Sequence, residues 1–196
     1  MNVQEDYETN LSRYEEIVFN DLVPKFGIYC TLKNKLTMVP SLLEKEPLLA
    51  FLLQSTEVDL FLLLAKLLDG NRSDKNILKF NNYCERNRKN IFWKGKCLSN
   101  EMISRHKDMI QDNLSTIQTI TIRRDKFLAH SDKTYFLEPH KVNDDFPIEI
   151  ENNEKLIQCF VNILNEHSNG LKGTAKMAVN DVFNASTYNL ITKLTS

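Results

Sequence analysis

Residues 47–70, PLLAFLLQSTEVDLFLLLAKLLDG, decide the fold class. The apolar residues form a run too long for a strand and never settle into strand alternation. Pro47 suits the first turn of a helix, where its missing N–H is no loss, and Gly70 suits the position just past the end. From Val58 onward the run is apolar almost all round, the pattern of a helix enclosed by others. The stretch predicts one long helix over residues 46–69 at the centre of a bundle. Its longest apolar run, VDLFLLLAKLL, is interrupted by Asp59 and Lys66 and is too short to span a bilayer, so no membrane association is expected.

Outward from this helix, the pattern stays helical. Leu11, Tyr14, Val18 and Leu22 mark one face of a helix over 4–22, with Pro24 and Gly27 expected to end or bend it. A second helical stretch runs to about Leu36, and VPS at 39–41 breaks it. GNRSD at 70–74 reads as a tight polar loop, followed by a shorter helix from Asn76 to about Asn87. Residues 99–131 predict a second long helix, N-capped by Ser99 or Asn100. The stretch 138–155, EPHKVNDDFPIEIENNEK, has six acids against two lysines and reads as a surface connection with room for a short strand. Two further helices, about 151–168 and 174–193, close the chain around NGLKG. With no internal repeat, residues 1–196 read as a single all-α domain, two long central helices with additional C-terminal helices.

Composition narrows the function classes. Hydrophobic residues make up 42%, enough for a substantial core, while five Gly and five Pro are too few for a turn-rich all-β fold. The net charge of −1 gives no global pull toward nucleic acid. The four cysteines, Cys30, Cys84, Cys97 and Cys159, form no CxxC pair and have no histidine at zinc-ligand spacing. They read as free thiols of a reducing compartment, with no metal or cofactor expected. MNVQEDYETN at the start is polar and acidic rather than a signal peptide, so a soluble cytoplasmic protein is expected.

Charge is local. ERNRKNIFWKGK, residues 85–96, gathers Arg86, Arg88, Lys89, Lys94 and Lys96 around Phe92 and Trp93. One reading is a solvated loop whose aromatics tuck into the core. The other is a basic platform with Trp93 as a stacking ring for single-stranded RNA.

The second unusual stretch is RRDKFLAHSDK, residues 123–133. Turning about 100° per residue from Ile110, Ile103, Leu114, Ile117 and Leu128 all fall within about 40° and define a core stripe. Arg124 falls on that stripe by the same count, Arg123 points away, and His130 lies about 120° round from Arg124. A guanidinium on a core stripe needs a partner. It is either half of a buried ion pair, with Asp59 as a candidate, or it faces an anion in a cleft or dimer seam. His130 reads either as a helix C-terminal histidine or as an acid–base group.

RDKFLAH, residues 124–130, resembles the arginine–histidine signature of the HEPN superfamily. Taken with LLLAKLLDGNRSDKNILKF at 62–80, it is similar to the abortive-infection U-type branch, over residues 10–165. The resemblance implies a helical bundle that forms a homodimer, with the two arginine–histidine motifs facing each other. Many relatives are metal-independent endoribonucleases of phage defence and toxin–antitoxin pairs, and others are non-catalytic modules that bind RNA, nucleotide or a partner protein. The residues suit the chemistry on their own terms. RNA carries its own nucleophile, the ribose 2′-hydroxyl; His130 can move its proton, and Arg124 can grip the phosphate. Asp125 can orient either one, and Arg123, Ser131 and Lys133 are secondary candidates for phosphate contact. The expected partners are RNA, a second copy of the chain, and an antitoxin or defence protein. A purely structural dimer with a buried arginine ion pair is the competing reading.

Overall fold

The computed structural model describes residues 2–68, 76–128, 133–176 and 180–195 and is all-α apart from one small hairpin. Helix α1 (Val3–Ile17) starts at a reciprocal cap: Glu5 N–H donates to Asn2 Oδ1 at 2.9 Å, and Asn2 N–H donates to the Glu5 carboxylate at 3.1 Å. Its inward stripe, Tyr7, Leu11 and Tyr14, continues into Val18. Pro24 does not end this helix. A π-turn over Val18–Leu22 leads directly into α2 (Val23–Met38), so Pro24 falls in the first turn of the new helix, where its absent N–H is tolerated.

A short α3 (Ser41–Lys45) precedes α4 (Pro47–Leu68), the long helix expected from the sequence. Its second half is buried through Leu60, Phe61, Leu64, Ala65, Leu67 and Leu68. In its first half Leu48 and Phe51 are 62% and 64% exposed. At 22 residues, α4 is long and apolar enough by composition alone to cross a membrane, which the 58–68 run taken separately is not. Its buried residues belong to the packed core. Helix α5 (Ile77–Asn87) is capped by the buried Asn76, whose Oδ1 accepts from Lys79 N–H at 2.8 Å. The Tyr14 hydroxyl donates to the Asn76 carbonyl at 3.0 Å and ties that cap to α1.

After a 3₁₀ turn (Arg88–Asn90), β1 (Phe92–Trp93) pairs antiparallel with β2 (Lys96–Cys97). Lys94 and Gly95 both have positive φ, 48° and 82°, as the two-residue turn of a tight hairpin requires.

The predicted helix over 99–131 is three segments. Ser99 Oγ caps α6 (Asn100–Gln111) by accepting from Met102 N–H. Residues 112–113 form a turn, α7 (Leu114–Arg123) follows, and a π-turn occupies Arg124–Leu128. The break has a local cause. The Asn113 side-chain amide donates to the Met109 carbonyl at 2.8 Å, the acceptor that its own backbone N–H would use in a continuous helix, and that N–H turns to Ile110 instead. The helix is re-phased, and Leu114, expected on the core stripe, is 39% exposed.

Short helix α8 (Lys133–Leu137) precedes the acidic connection, which carries a second short helix, α9 (Lys141–Asp145), and no strand. Helix α10 (Ile150–Lys172) runs through NGLKG to Gly173, which caps it in the left-handed region at φ 78°. Helix α11 (Asn180–Thr195) lies against α2. The main apolar cluster joins α1, α2, α4, α5, α6, α7 and α10, and a smaller one gathers Leu32, Leu36, Leu42, Leu49 and Ile191.

Candidate functional site

The re-phasing at Asn113 makes Arg123, rather than Arg124, the more deeply buried arginine. Helix α7 buries Ile117, Ile120 and Arg123, so Arg123, predicted to point outward, is the core arginine and is 4% exposed. One Arg123 Nη donates to the carbonyls of Val142 and Phe146 at 3.1 and 2.6 Å, and the other to Asn143 Oδ1 at 3.1 Å. The Glu57 carboxylate on α4 stands 3.9 Å away. Burial lowers the pKa of Arg123 and the Glu57 charge opposes that shift, so the guanidinium stays protonated. Arg123 therefore clamps the 139–147 segment onto α4 and α7 and has no geometry for a surface phosphate contact. Asp59, the sequence candidate for the core arginine's partner, lies 2.6 Å from Lys25 instead.

Arg124 opens the π-turn, with 14% of its side chain exposed. Its Nε and Nη2 both donate to Asp125 Oδ1, at 2.8 and 2.7 Å. The Asp125 carboxylate thus holds the Arg124 guanidinium in place. His130 and Ser131 lie outside the described residues. Lys133 is exposed at the start of α8, which packs on the π-turn.

The basic stretch sits elsewhere, its hairpin resting on α10. Arg86, Lys89, Lys94 and Lys96 are exposed and Arg88 is half-buried. Trp93 is not a free stacking ring. Its Nε1 donates to the Tyr7 hydroxyl at 2.9 Å, and its ring meets His167 edge-on. Gly170 of α10 leaves the room it needs, since a Cβ there would lie 2.1 Å from Trp93 Cε3. Phe92, its neighbour on the other face, is the exposed aromatic.

Behind Trp93 runs a buried polar chain that the motif reading missed. The Tyr7 hydroxyl lies 2.9 Å from His167 Nδ1. The His167 ring centroid is 5.2 Å from that of His106, whose Nε2 lies 3.0 Å from the Glu166 carboxylate. Burial pushes both histidines below their usual pKa range, His167 to about 3. Burial works against the ionised Glu166, but hydrogen bonds from Arg105 and His106 outweigh it and hold that carboxyl below its usual value. A signal was present: His106 and His167 fall in phase with Ile103, Ile110, Phe160, Ile163 and Leu164.

A cavity of about 450 Å³ opens between α4, the π-turn and the 139–143 segment. Val58, Phe61 and Phe127 supply apolar walls, and Gln54, Glu57 and Asn143 supply polar groups. Among the described residues, no group of three or more His, Cys, Asp or Glu is placed to hold a metal ion.

A family model, HEPN AbiU2, described as AbiU2, matches the chain over residues 28–190. Searches of curated proteins and of solved structures returned no match.

Proposed function

Because this chain belongs to the AbiU2 family of HEPN domains, an abortive-infection type, we propose that it is a metal-independent endoribonuclease acting in phage defence or as a toxin. One observation carries the reading. Arg124 is a poorly solvated guanidinium held by Asp125 at the head of a π-turn, six residues before His130. A cation fixed in this way can stabilise the charge that builds on a phosphate in the transition state. In the proposed reaction the ribose 2′-oxygen bonds to phosphorus as the bond from phosphorus to the 5′-oxygen breaks. His130 takes the 2′-hydroxyl proton or protonates the leaving 5′-oxygen, and a 2′,3′-cyclic phosphate remains.

One histidine cannot do both in a single step, and a second copy would supply the other. Exposed apolar side chains flank the arginine turn on two elements packed against it: Leu48 and Phe51 on α4, Phe136 and Leu137 on α8. A second copy covering this surface about a two-fold axis would bring two arginine turns toward one cleft. The basic residues 86–96 then serve as a separate RNA-holding surface.

The test is incubation of pure protein with total RNA in EDTA. Wild type should yield fragments ending in 2′,3′-cyclic phosphate. His130→Ala should lose about 10²–10⁴-fold in rate with its helical spectrum intact. Arg124→Lys should not restore activity, because lysine lacks the planar fork. Robust cleavage by His130→Ala, or strict dependence on a divalent metal, would sink the mechanism. One feature favours a second reading, a non-catalytic module that binds RNA, nucleotide or a partner protein: the Arg124 guanidinium already holds the Asp125 carboxylate. Failure of wild type to cut any RNA selects that module.

A further inference from the structure

We infer that the hairpin of β1 and β2 holds single-stranded RNA with Phe92, rather than Trp93, as the ring on which a base stacks, a reading that rests on the RNA-directed role proposed above. Successive residues of a strand point to opposite faces, so the packing of Trp93 against Gly170 and His167 turns Phe92 outward. Phe92 is 45% exposed. Its cross-strand neighbour is Cys97, which is also exposed and too small to cover the ring. The ring stands on a fixed backbone. Phe92 N–H donates to Gln4 Oε1 at 2.9 Å, and its carbonyl accepts from Gln4 Nε2 at 3.4 Å, so a side chain of α1 closes the edge of β1. A ring held in this way loses little freedom when a base settles on it.

The charge around this ring is one-sided. Residues 86–98, RNRKNIFWKGKCL, hold five basic residues and no acid. Glu85 and Glu166, on the neighbouring helices, are committed to Lys107 and Arg105. Among the described residues no carboxylate pairs with Arg86, Lys89, Lys94 or Lys96. Arg88 is half-buried with Glu101 near it and adds little. Lys89 borders the outer face of the hairpin, since its carbonyl accepts from the Cys97 thiol at 3.4 Å. The surface continues past the hairpin. The Lys94 ammonium reaches the end of α10, where a Cβ on Gly173 would stand 3.2 Å from its Nζ. There Lys172 and Lys176 share the one buried carboxylate of Glu15, each at 3.1 Å, which leaves a positive charge over. Single-stranded nucleic acid answers this combination, with a phosphate chain for the cations and an unpaired base for the ring. A duplex offers the same phosphates but keeps its base faces stacked inside.

Fluorescence anisotropy of the full chain with 2′-O-methyl octauridine tests the surface. That strand has no free 2′-hydroxyl, so it cannot be cut whatever the arginine turn does. Phe92→Ala should weaken binding about 5–100-fold, the scale of one base–aromatic stack, and leave the salt slope unchanged. Lys94→Ala and Lys96→Ala should each reduce that slope by about 0.7, the counterion release of one phosphate contact on a single strand. Phe92→Tyr should retain affinity and Phe92→Leu should not, because leucine is apolar without a flat face. Unchanged Trp93 emission in the Ala and Leu variants shows that the hairpin is still docked. No binding at micromolar protein, full affinity in Phe92→Ala, or displacement by polyglutamate as effective as by unlabelled strand overturns the inference. A duplex that binds with the same dependence on Phe92 also overturns it. RNA cleavage by a protein whose binding ignores Phe92 overturns the surface and leaves the nuclease reading standing. Phe92-dependent binding in a protein that cuts no RNA supports the surface and selects the binding module.

Discussion

Replacing Arg123 with methionine tests whether the core arginine is a clamp. Methionine keeps most of the apolar stem and removes the head. Three acceptors then lose a charged donor: the buried Val142 carbonyl, which keeps the Phe146 backbone N–H at 3.0 Å, and the Phe146 carbonyl and Asn143 Oδ1, which are partly buried. A hydrogen bond to a charged group contributes about 1.5–3 kcal/mol, and the two partly buried acceptors recover some of that loss from water. Relief of the desolvation that burial imposes on the guanidinium offsets a further part. The net expectation is about 2–4 kcal/mol of lost stability, a large share of the roughly 5–15 kcal/mol that holds a domain together. Urea unfolding followed by circular dichroism measures it. Arg13→Met, which removes only an exposed pair with Glu16, is the control and should barely move the midpoint. Hydrogen exchange should accelerate in residues 139–147 before anywhere else. If Arg123→Met unfolds at the same urea concentration as Arg13→Met, Arg123 is not a clamp, and its reassignment from surface contact to core is wrong.

Gly170→Ala should destabilise by about 1–3 kcal/mol and shift the emission of the single tryptophan, because its Cβ would meet the Trp93 ring. Unchanged fluorescence would refute that packing. Acidification should weaken the fold. His106 and His167 are held below the usual histidine range, so the unfolded chain takes up protons first. Stability should fall as pH drops below about 6.5, by at most about 1.4 kcal/mol per pH unit for each histidine. A flat urea midpoint between pH 7 and 5 would contradict this, and His167→Gln should flatten the slope. Light scattering should show a dimer for wild type and a monomer for Phe51→Glu; a monomeric wild type at micromolar protein removes the composite site. Reversing charge at Arg86, Lys89, Lys94 and Lys96 should weaken RNA binding and reduce its salt slope; equal slopes would rule out the platform.

The long helix 47–68 was legible because its apolar run outweighs any local preference. The separation of α6 from α7 was not, because it turns on one amide. Asn113 is an ordinary helix-surface residue until its side chain takes the Met109 carbonyl. Angles counted past it from Ile110 drift: Ile117 is still buried as counted, but Leu114 is not, and Arg123 turns into the core instead of outward. Asp59 failed as a partner for a related reason. The carboxylate facing the core arginine is Glu57, two residues earlier and on a different face of α4. The motif itself was readable as a string, and its match to the family extends well beyond those seven residues. Trp93 had two fates open to it in the sequence, packing into the core being the favoured one, and Gly170, far away in the chain, makes the room for that packing. No local window holds both residues.

The buried chain from Trp93 to Glu166 has a direction. Indole nitrogen can only donate, so Tyr7 accepts from it. A buried hydroxyl then places its own proton on His167 Nδ1, which leaves the His167 hydrogen on Nε2. At the far end the Glu166 carboxylate can only accept, so His106 carries its hydrogen on Nε2 and bares Nδ1. The two nitrogens without a described partner, His167 Nε2 and His106 Nδ1, are thus one donor and one acceptor. Each end therefore fixes the ring nearest to it. Trp93→Phe removes the donor that makes Tyr7 the next donor, and so frees the Tyr7–His167 bond to reverse. Glu166→Gln replaces a pure acceptor with a group that can also donate, and so releases His106 to exchange tautomers. Nitrogen-15 shifts should register the first substitution at His167 and the second at His106.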